Sequence, residues 1–169
     1  RIHPQKGIDA FLHAAARLRT LAPEARFALV GSGEIESEMR ALSRSLGLDD
    51  VLVWTGTLPA RACYPLFDVA LMTSRWEGLP GTLVEYMAAR RPIVLTAFPG
   101  VEEMVAPGEA EIVPVDDSAA IADAVVRLLH DPALRARRAE AARRRYETSY
   151  TLEAITPQYR ALFMEVSSQ

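Results

Sequence analysis

Apolar residues return every three or four positions at Ile8, Phe11, Leu12, Ala15 and Leu18, so Ile8 to Leu21 is predicted to form an amphipathic helix that Pro23 closes. The run Phe27 to Val30 is short and continuously apolar, the pattern of a buried strand, and Gly31-Ser-Gly33 stops it. Ile35, Met39, Leu42 and Leu46 share one face of a second helix ending at Gly47. A strand from Val51 to Trp54 follows, with Thr55 to Pro59 as a loop. The alternation continues through a short helix near Ala60 to Leu66, a strand Val69 to Met72, a helix from about Gly81 to Ala89 and a strand Ile93 to Thr96. A helical turn at Val101 to Val105 precedes a last strand at Ile112 and Val113, and three helices finish the chain. Asp117 or Ser118 caps the first of these, Asp131-Pro132 opens the second, and Thr151 caps the third.

Short apolar strands separated by helices define an α/β class, a Rossmann-like parallel sheet with helices on both faces. In such sheets ligands bind beyond the carboxyl ends of the strands. Gly31 to Gly33, Gly56 to Leu58, Ser74 to Gly81 and Phe98 to Glu103 all follow strands, so candidate chemistry belongs there.

A length of 169 residues, half of them apolar, suffices for one core without staples. The net charge of -3 offers no general attraction to nucleic acid or to an anionic surface, so any anion site must be local. Cys63 stands alone, and His3, His13 and His130 are far apart, so no internal disulfide and no metal is expected. A cytoplasmic setting fits that usage. No apolar run approaches the roughly 20 residues of a membrane span. The basic run Arg135, Arg137, Arg138, Arg143, Arg144 and Arg145 reads as a solvated helix face and leaves open a peripheral contact at the inner face of a membrane.

The densest chemistry lies in Glu77-Gly-Leu-Pro80-Gly-Thr-Leu-Val-Glu85. With Pro80 as the first helical residue, the amides of Gly81, Thr82 and Leu83 are left unpaired at a helix start, which is an anion seat. Gly78 and Gly81 let backbone approach a phosphate closely. Glu77 before the helix and Glu85 in its second turn flank that seat, and a carboxylate accepts two hydrogen bonds from a vicinal diol. Taken singly, Glu77 is an ordinary loop residue and Glu85 an ordinary surface carboxylate; their joint placement around Gly-Leu-Pro-Gly describes a nucleotide-sugar site. Lys6, just before a helix start, opposes the helix dipole unless an anion is present. Gly31-Ser-Gly33 lacks the third glycine of a dinucleotide fingerprint and reads as a strand-to-helix turn. Trp76 either stacks on a sugar ring or covers the core.

The pattern Glu-Gly-Leu-Pro-x4-Glu-x-Met-Ala resembles the E-x7-E signature of retaining GT-B glycosyltransferases, and the resemblance runs from Arg1 to about Asp131. Arg1 with Lys6-Gly7, Val30-Gly-Ser-Gly33, Thr55-Gly-Thr-Leu58, Phe67-Asp68-Val69 with Ser74, and Glu103-Met-Val105 match in order. The resemblance implies the C-terminal, donor-binding half of such a fold, with strand order 3-2-1-4-5-6. It implies that Arg1 and Lys6 bind the diphosphate and stabilise the leaving nucleoside diphosphate. Glu77 would hold donor-sugar hydroxyls and Glu85 the ribose. Backbone from Leu79 through Pro80 and Gly81 to Thr82 would meet sugar and phosphate, with Leu83 completing the helix start, and backbone at Leu58 would meet the base. Arg1, Lys6 and Glu77 are the implied catalytic contacts, with no cofactor beyond the sugar nucleotide itself.

Two departures stand out: Arg90 occupies a helix end where the family usually has glycine, and the loop Pro107 to Glu111 lacks a second glycine. The resemblance also implies an N-terminal acceptor domain and a first strand that this sequence does not contain. The expected organisation is a donor-binding domain over residues 1–150 and a C-terminal helix over 151–169 that packs back on the acceptor domain. The acceptor, whether glycan, lipid-linked or small molecule, is not indicated, and no nucleic-acid partner is expected. A nucleotide-sugar epimerase, a glycosyl phosphorylase of the same fold, or a non-catalytic nucleotide-sugar-binding module fits the same residues.

Overall fold

A computed structural model describes residues 1–167, apart from the side chain of Ala60, so the last two residues of the expected C-terminal helix lie outside the described residues. After a 3-10 turn at Pro4–Lys6, the elements alternate: α1 (Ile8–Leu21), β1 (Phe27–Val30), α2 (Glu36–Ser45), β2 (Leu52–Gly56), α3 (Ala60–Cys63), β3 (Ala70–Met72), α4 (Gly81–Ala88), β4 (Ile93–Thr96), α5 (Val101–Met104) and β5 (Glu111–Val113). Three helices follow, α6 (Ser118–His130), α7 (Pro132–Ser149) and α8 (Leu152–Ser167). Asp117 caps α6 through Ala120, Asp131 caps α7 through Leu134, and Thr151 accepts from the Ala154 amide at the head of α8.

All strand pairs are parallel, as the α/β reading requires. Among the described residues the strands nevertheless form two sheets where one was expected: β1 pairs only with β2, while β4 sits between β3 and β5. Each of β1 and β3 therefore keeps one backbone edge unpaired within its sheet. This is where the order 3-2-1-4-5-6 would place a first strand.

Helix α1 holds the two parts together by using two faces. Its small residues Ala10 and Ala14, with Leu18, join Ile121, Ala122 and Val125 of α6 and Val94 of β4. Its bulkier Ile8 and Leu12 pack with Met39, Leu48, Val51 and Leu52 instead. Alanines let the α1 and α6 backbones approach closely, and the 3.6-residue period separates the two faces. β4 is buried along its whole length; Ile93 and Leu95 face a cluster with Leu83 and Met87 of α4, while Val94 faces α1 and α6. Each fully buried Leu in these clusters contributes about 1.5–3 kcal/mol.

Three local expectations shift. Thr55 and Gly56 belong to β2 rather than to a loop, because the Gly56 carbonyl accepts from the Gly31 amide and the ladder carries a register shift at Leu29/Val30. The helix near residues 60–66 splits into α3 and a 3-10 turn at Tyr64–Leu66, since Pro65 has no N–H to extend an α-helix. Arg90 does adopt the left-handed conformation at the end of α4, with φ of 53°. Its guanidinium pairs with Glu140 on α7 at 3.0 Å.

Candidate functional site

The site is assembled at the carboxyl end of β3. Thr73 and Ser74, the residues that leave this strand, are buried, and Thr96 at the end of β4 donates its hydroxyl to the Ser74 carbonyl. Thr73 in turn donates to the Lys6 carbonyl at 2.8 Å. Gly7 makes this approach feasible: its φ is +58°, and a Cβ there would collide with the Thr73 carbonyl. The 3-10 turn that carries Lys6 is capped by His3, whose Nδ1 accepts from the Gln5 amide.

Arg75 fastens the loop after β3 to this turn. It donates from Nη1 to the Pro4 carbonyl and from Nη2 to Asp9 at 2.7 Å, pairs with Asp116 at 2.9 Å, and its amide donates to the Gln5 carbonyl. The hydrogen bonds it donates to Asp9 and Asp116 raise the Arg75 pKa. Burial pushes the Asp9 carboxyl up, but the Arg75 hydrogen bond and charge outweigh it and leave the group below its ordinary value of 3.8.

Held between these ties, Glu77 is nearly enclosed, its side chain only 7% exposed. Oε1 accepts from Lys6 Nζ at 2.6 Å and from Ser74 Oγ at 2.6 Å, and Oε2 accepts from Gln5 Nε2 at 3.3 Å. Gln5 Nε2 also donates to the Trp76 carbonyl at 2.8 Å. Lys6 and Glu77 are thus brought together from opposite ends of a 71-residue separation. The Lys6 side chain stays 24% exposed, so its ammonium can meet an anion while keeping its carboxylate partner.

Beyond Glu77 the chain opens. Gly78, Leu79 and Gly81 are exposed, and a Cβ built at Gly78 or Gly81 would meet no atom within 4 Å. Neither glycine has positive φ, so neither backbone conformation nor packing demands glycine there. Pro80 is buried and stands at the N-cap with ψ of 95°, one place before the helix rather than within it as expected. Its carbonyl accepts from the Leu83 amide at 2.9 Å, so Leu83 is withdrawn from the anion seat and its side chain lies in the core. A 3-10 type bond at a helix start uses one orphan donor in this way. Among the described residues nothing accepts from the Gly81 and Thr82 amides.

Glu85 lies exposed on α4, about 6 Å along the axis from Gly81. Its Oε2 accepts from the buried Tyr64 hydroxyl at 2.7 Å. Arg1 is exposed beside the Gly31 loop, where Ile2 donates to the Ser32 carbonyl; the guanidinium holds no ion pair among the described residues. Leu58, just past β2, is exposed as well, and the two neighbouring loops are joined by a Ser32–Thr57 hydroxyl contact at 3.1 Å. Trp76 is half exposed, consistent with a surface role rather than a core one. Gln5, Tyr64 and Arg75 were not among the expected site residues. Their contacts join positions far apart in sequence, which leaves no periodic trace.

A family model described as glycosyl transferases group 1 matches residues 1–145. The chain belongs to that family. It is 32% identical over 170 residues to an alpha-D-kanosaminyltransferase of Streptomyces kanamyceticus, covering 98% of this chain and 44% of that protein. Among solved structures it is similar to HepE of Anabaena, with TM-score 0.90 and 21% identity over 98% of this chain and 47% of that one. It is likewise similar to the C-terminal domain of the glycosyl transferase group 1 protein LpcC of Francisella tularensis, with TM-score 0.81 and 23% identity over 90% of this chain and 83% of that one. The chain spans less than half the length of the curated relatives it matches. The group 1 family and these neighbours bear out the α/β, Rossmann-like GT-B reading of the sequence.

The basic run on α7 is more committed to the protein than its sequence suggests. Arg138 pairs with Glu111 at 2.7 Å, Arg143 with Glu147 at 2.7 Å, and Arg144 and Arg145 lie 3.8 and 3.9 Å from Glu140 and Glu109. No helix among the described residues is long and apolar enough to cross a membrane.

Proposed function

We propose that this chain is the donor-binding half of a retaining glycosyltransferase that takes a nucleoside diphosphate sugar. The observation that carries the reading is the open seat at Gly78 and Gly81. Glycine is used there without internal need, the Gly81 and Thr82 amides are unspent, and Glu77, which holds Lys6, directly precedes Gly78 in the chain. A diphosphate fills such a seat through charge-assisted hydrogen bonds and the helix dipole. The Anabaena neighbour is solved in complex with UDP, and the kanosaminyltransferase is by name a sugar transferase, which supports the same substrate class.

In this reading, breaking the anomeric bond with retention leaves charge on the β-phosphate. Lys6, Arg1 and the amides of Gly81 and Thr82 then interact more strongly with the transition state than with the bound donor. Glu77, with one oxygen already shared by Lys6 and Ser74, orients the ammonium and offers Oε2 to the donor sugar. Glu85 takes the ribose, and the Leu58 backbone meets the base. These protein cations and amides supply the charge neutralisation, so the reading needs no metal.

The acceptor site belongs to an N-terminal domain, and two surfaces of this chain suit it to such a setting. The unpaired edges of β1 and β3 match a further parallel strand. Helix α8 exposes Leu152, Tyr159 and Phe163, an apolar set that packs on the same domain. The test is calorimetric titration of UDP and GDP in metal-free buffer. Binding of one of them is expected, lost when Lys6→Ala and Glu85→Ala are combined; unchanged affinity in that double variant overturns the reading.

A further inference from the structure

Tyr64 belongs to none of the motifs that define the site. It opens the 3-10 turn Tyr64–Leu66 that leads from α3 toward β3, and it is buried. Its ring stands edge-on to Tyr86 at a centroid distance of 4.9 Å and tilts against Phe67 at 6.3 Å. Two aromatic contacts of this kind leave the ring little freedom, so the hydroxyl has a fixed place. From that place it donates to Glu85 Oε2 at 2.7 Å, across 21 residues.

Glu85 itself is exposed on the helix surface, where a glutamate ordinarily samples many rotamers and meets a ligand in any of several orientations. A buried donor on one carboxylate oxygen removes that freedom before any ligand arrives. Burial, followed by the hydrogen bond to Glu85, raises the Tyr64 pKa far above that of a free phenol. The hydroxyl therefore stays protonated, and so a donor, around neutral pH.

We propose that Tyr64 is the positioning residue that presets Glu85 to recognise the ribose of the donor nucleotide. With Oε2 tied to Tyr64, Oε1 and the second lone pair of Oε2 remain to accept, which is enough for two adjacent hydroxyls. The inference rests on the reading that Glu85 meets the ribose. It adds that discrimination for a ribose diol depends on a residue that touches no substrate.

The experiment compares UDP and GDP by calorimetry, takes the tighter binder, and measures it beside its 2′,3′-dideoxy counterpart. Four proteins are used: unaltered, Tyr64→Phe, Glu85→Ala and the double variant. Phenylalanine keeps the ring contacts, and the preference is a ratio within each protein, so a change in folded fraction cancels. The unaltered protein is expected to prefer the ribonucleotide. Tyr64→Phe should weaken the ribonucleotide about 3- to 10-fold, the worth of one hydrogen bond, and leave the dideoxy compound unchanged. Glu85→Ala should abolish the preference, with Tyr64→Phe adding nothing in that background. The proposal is overturned if Tyr64→Phe weakens both compounds equally, has no effect, or acts as strongly without Glu85 as with it. If Glu85→Ala keeps the preference, or none exists at the outset, the ribose reading fails and takes Tyr64 with it. If Glu85→Ala loses the preference and Tyr64→Phe retains it, only the role of Tyr64 falls.

Discussion

Replacing Gly81 by alanine separates a glycine kept for a ligand from a glycine kept for the fold. Its φ is not positive and a Cβ would meet nothing within 4 Å, so the native backbone accepts alanine without strain. The substitution then stabilises the ligand-free protein by about 0.4–1 kcal/mol, because the unfolded chain loses conformational freedom. For a protein of this size, a gain of that order raises Tm by roughly 1–4 °C. The bound state is affected in the opposite direction. The new methyl occupies the space from which a phosphate would reach the Gly81 and Thr82 amides. Loss of one charge-assisted hydrogen bond costs about 1.5–3 kcal/mol, and loss of the dipole contact about 0.3–1 kcal/mol. Together these correspond to a fall in nucleoside diphosphate affinity of roughly 20- to 700-fold at 1.4 kcal/mol per factor of ten. Thermal melting without ligand and calorimetry with UDP and GDP read the two effects separately. A Gly81→Ala protein that melts lower and binds normally would refute the reasoning at both points.

Lys6→Ala should lower stability by about 1–3 kcal/mol in urea unfolding, because it leaves the nearly enclosed Glu77 carboxylate with only Ser74 and Gln5; adding Glu77→Gln should restore most of that loss and none of the nucleotide affinity. Arg90→Gly relieves a left-handed strain of roughly 1–2 kcal/mol and forfeits an exposed ion pair with Glu140 worth about 0–1 kcal/mol. A net gain of about 0.5–1 kcal/mol is expected in thermal melting, and a loss would show that the Glu140 contact dominates. The lowered Asp9 pKa contributes stability that is present above its unfolded value and lost as pH falls through the folded one. Urea unfolding from about pH 5 down to pH 2 should therefore show a decline that Arg75→Met flattens, and equal slopes in the two proteins would dismiss the contact.

The fold was legible where periodicity and punctuation agree. Helix α1 has both an apolar period and Pro23, and its bounds match the expectation residue for residue. The strands β1 and β4 are short apolar runs with glycine or proline beside them, and they too match. Gly56 falls within the expected Thr55 to Pro59 loop, and the ladder hydrogen bond to Gly31 that holds it in β2 is invisible locally. Lys6 and Glu77 are legible as chemistry, the lysine because it opposes the dipole at a helix start and the acid only through its joint placement with Glu85 around Gly-Leu-Pro-Gly. Their mutual contact was not, and neither were the Arg75 bonds to Asp9 and Asp116, 66 and 41 positions away. Pro80 stands one residue earlier than expected because the same proline suits either side of a helix boundary, and its extended ψ with the Leu83 bond decides between them.

The division of the strands has a mechanical corollary. The loop at Gly31 rides on one plate and Glu77 on the other, with α1 as the pin on which both are mounted. A ligand touching both loops would resist any shear between the plates, and an inserted strand would resist the same shear. For a ligand that touched both loops, occupancy of the seam and grip on the ligand would be thermodynamically linked, each strengthening the other by an equal factor.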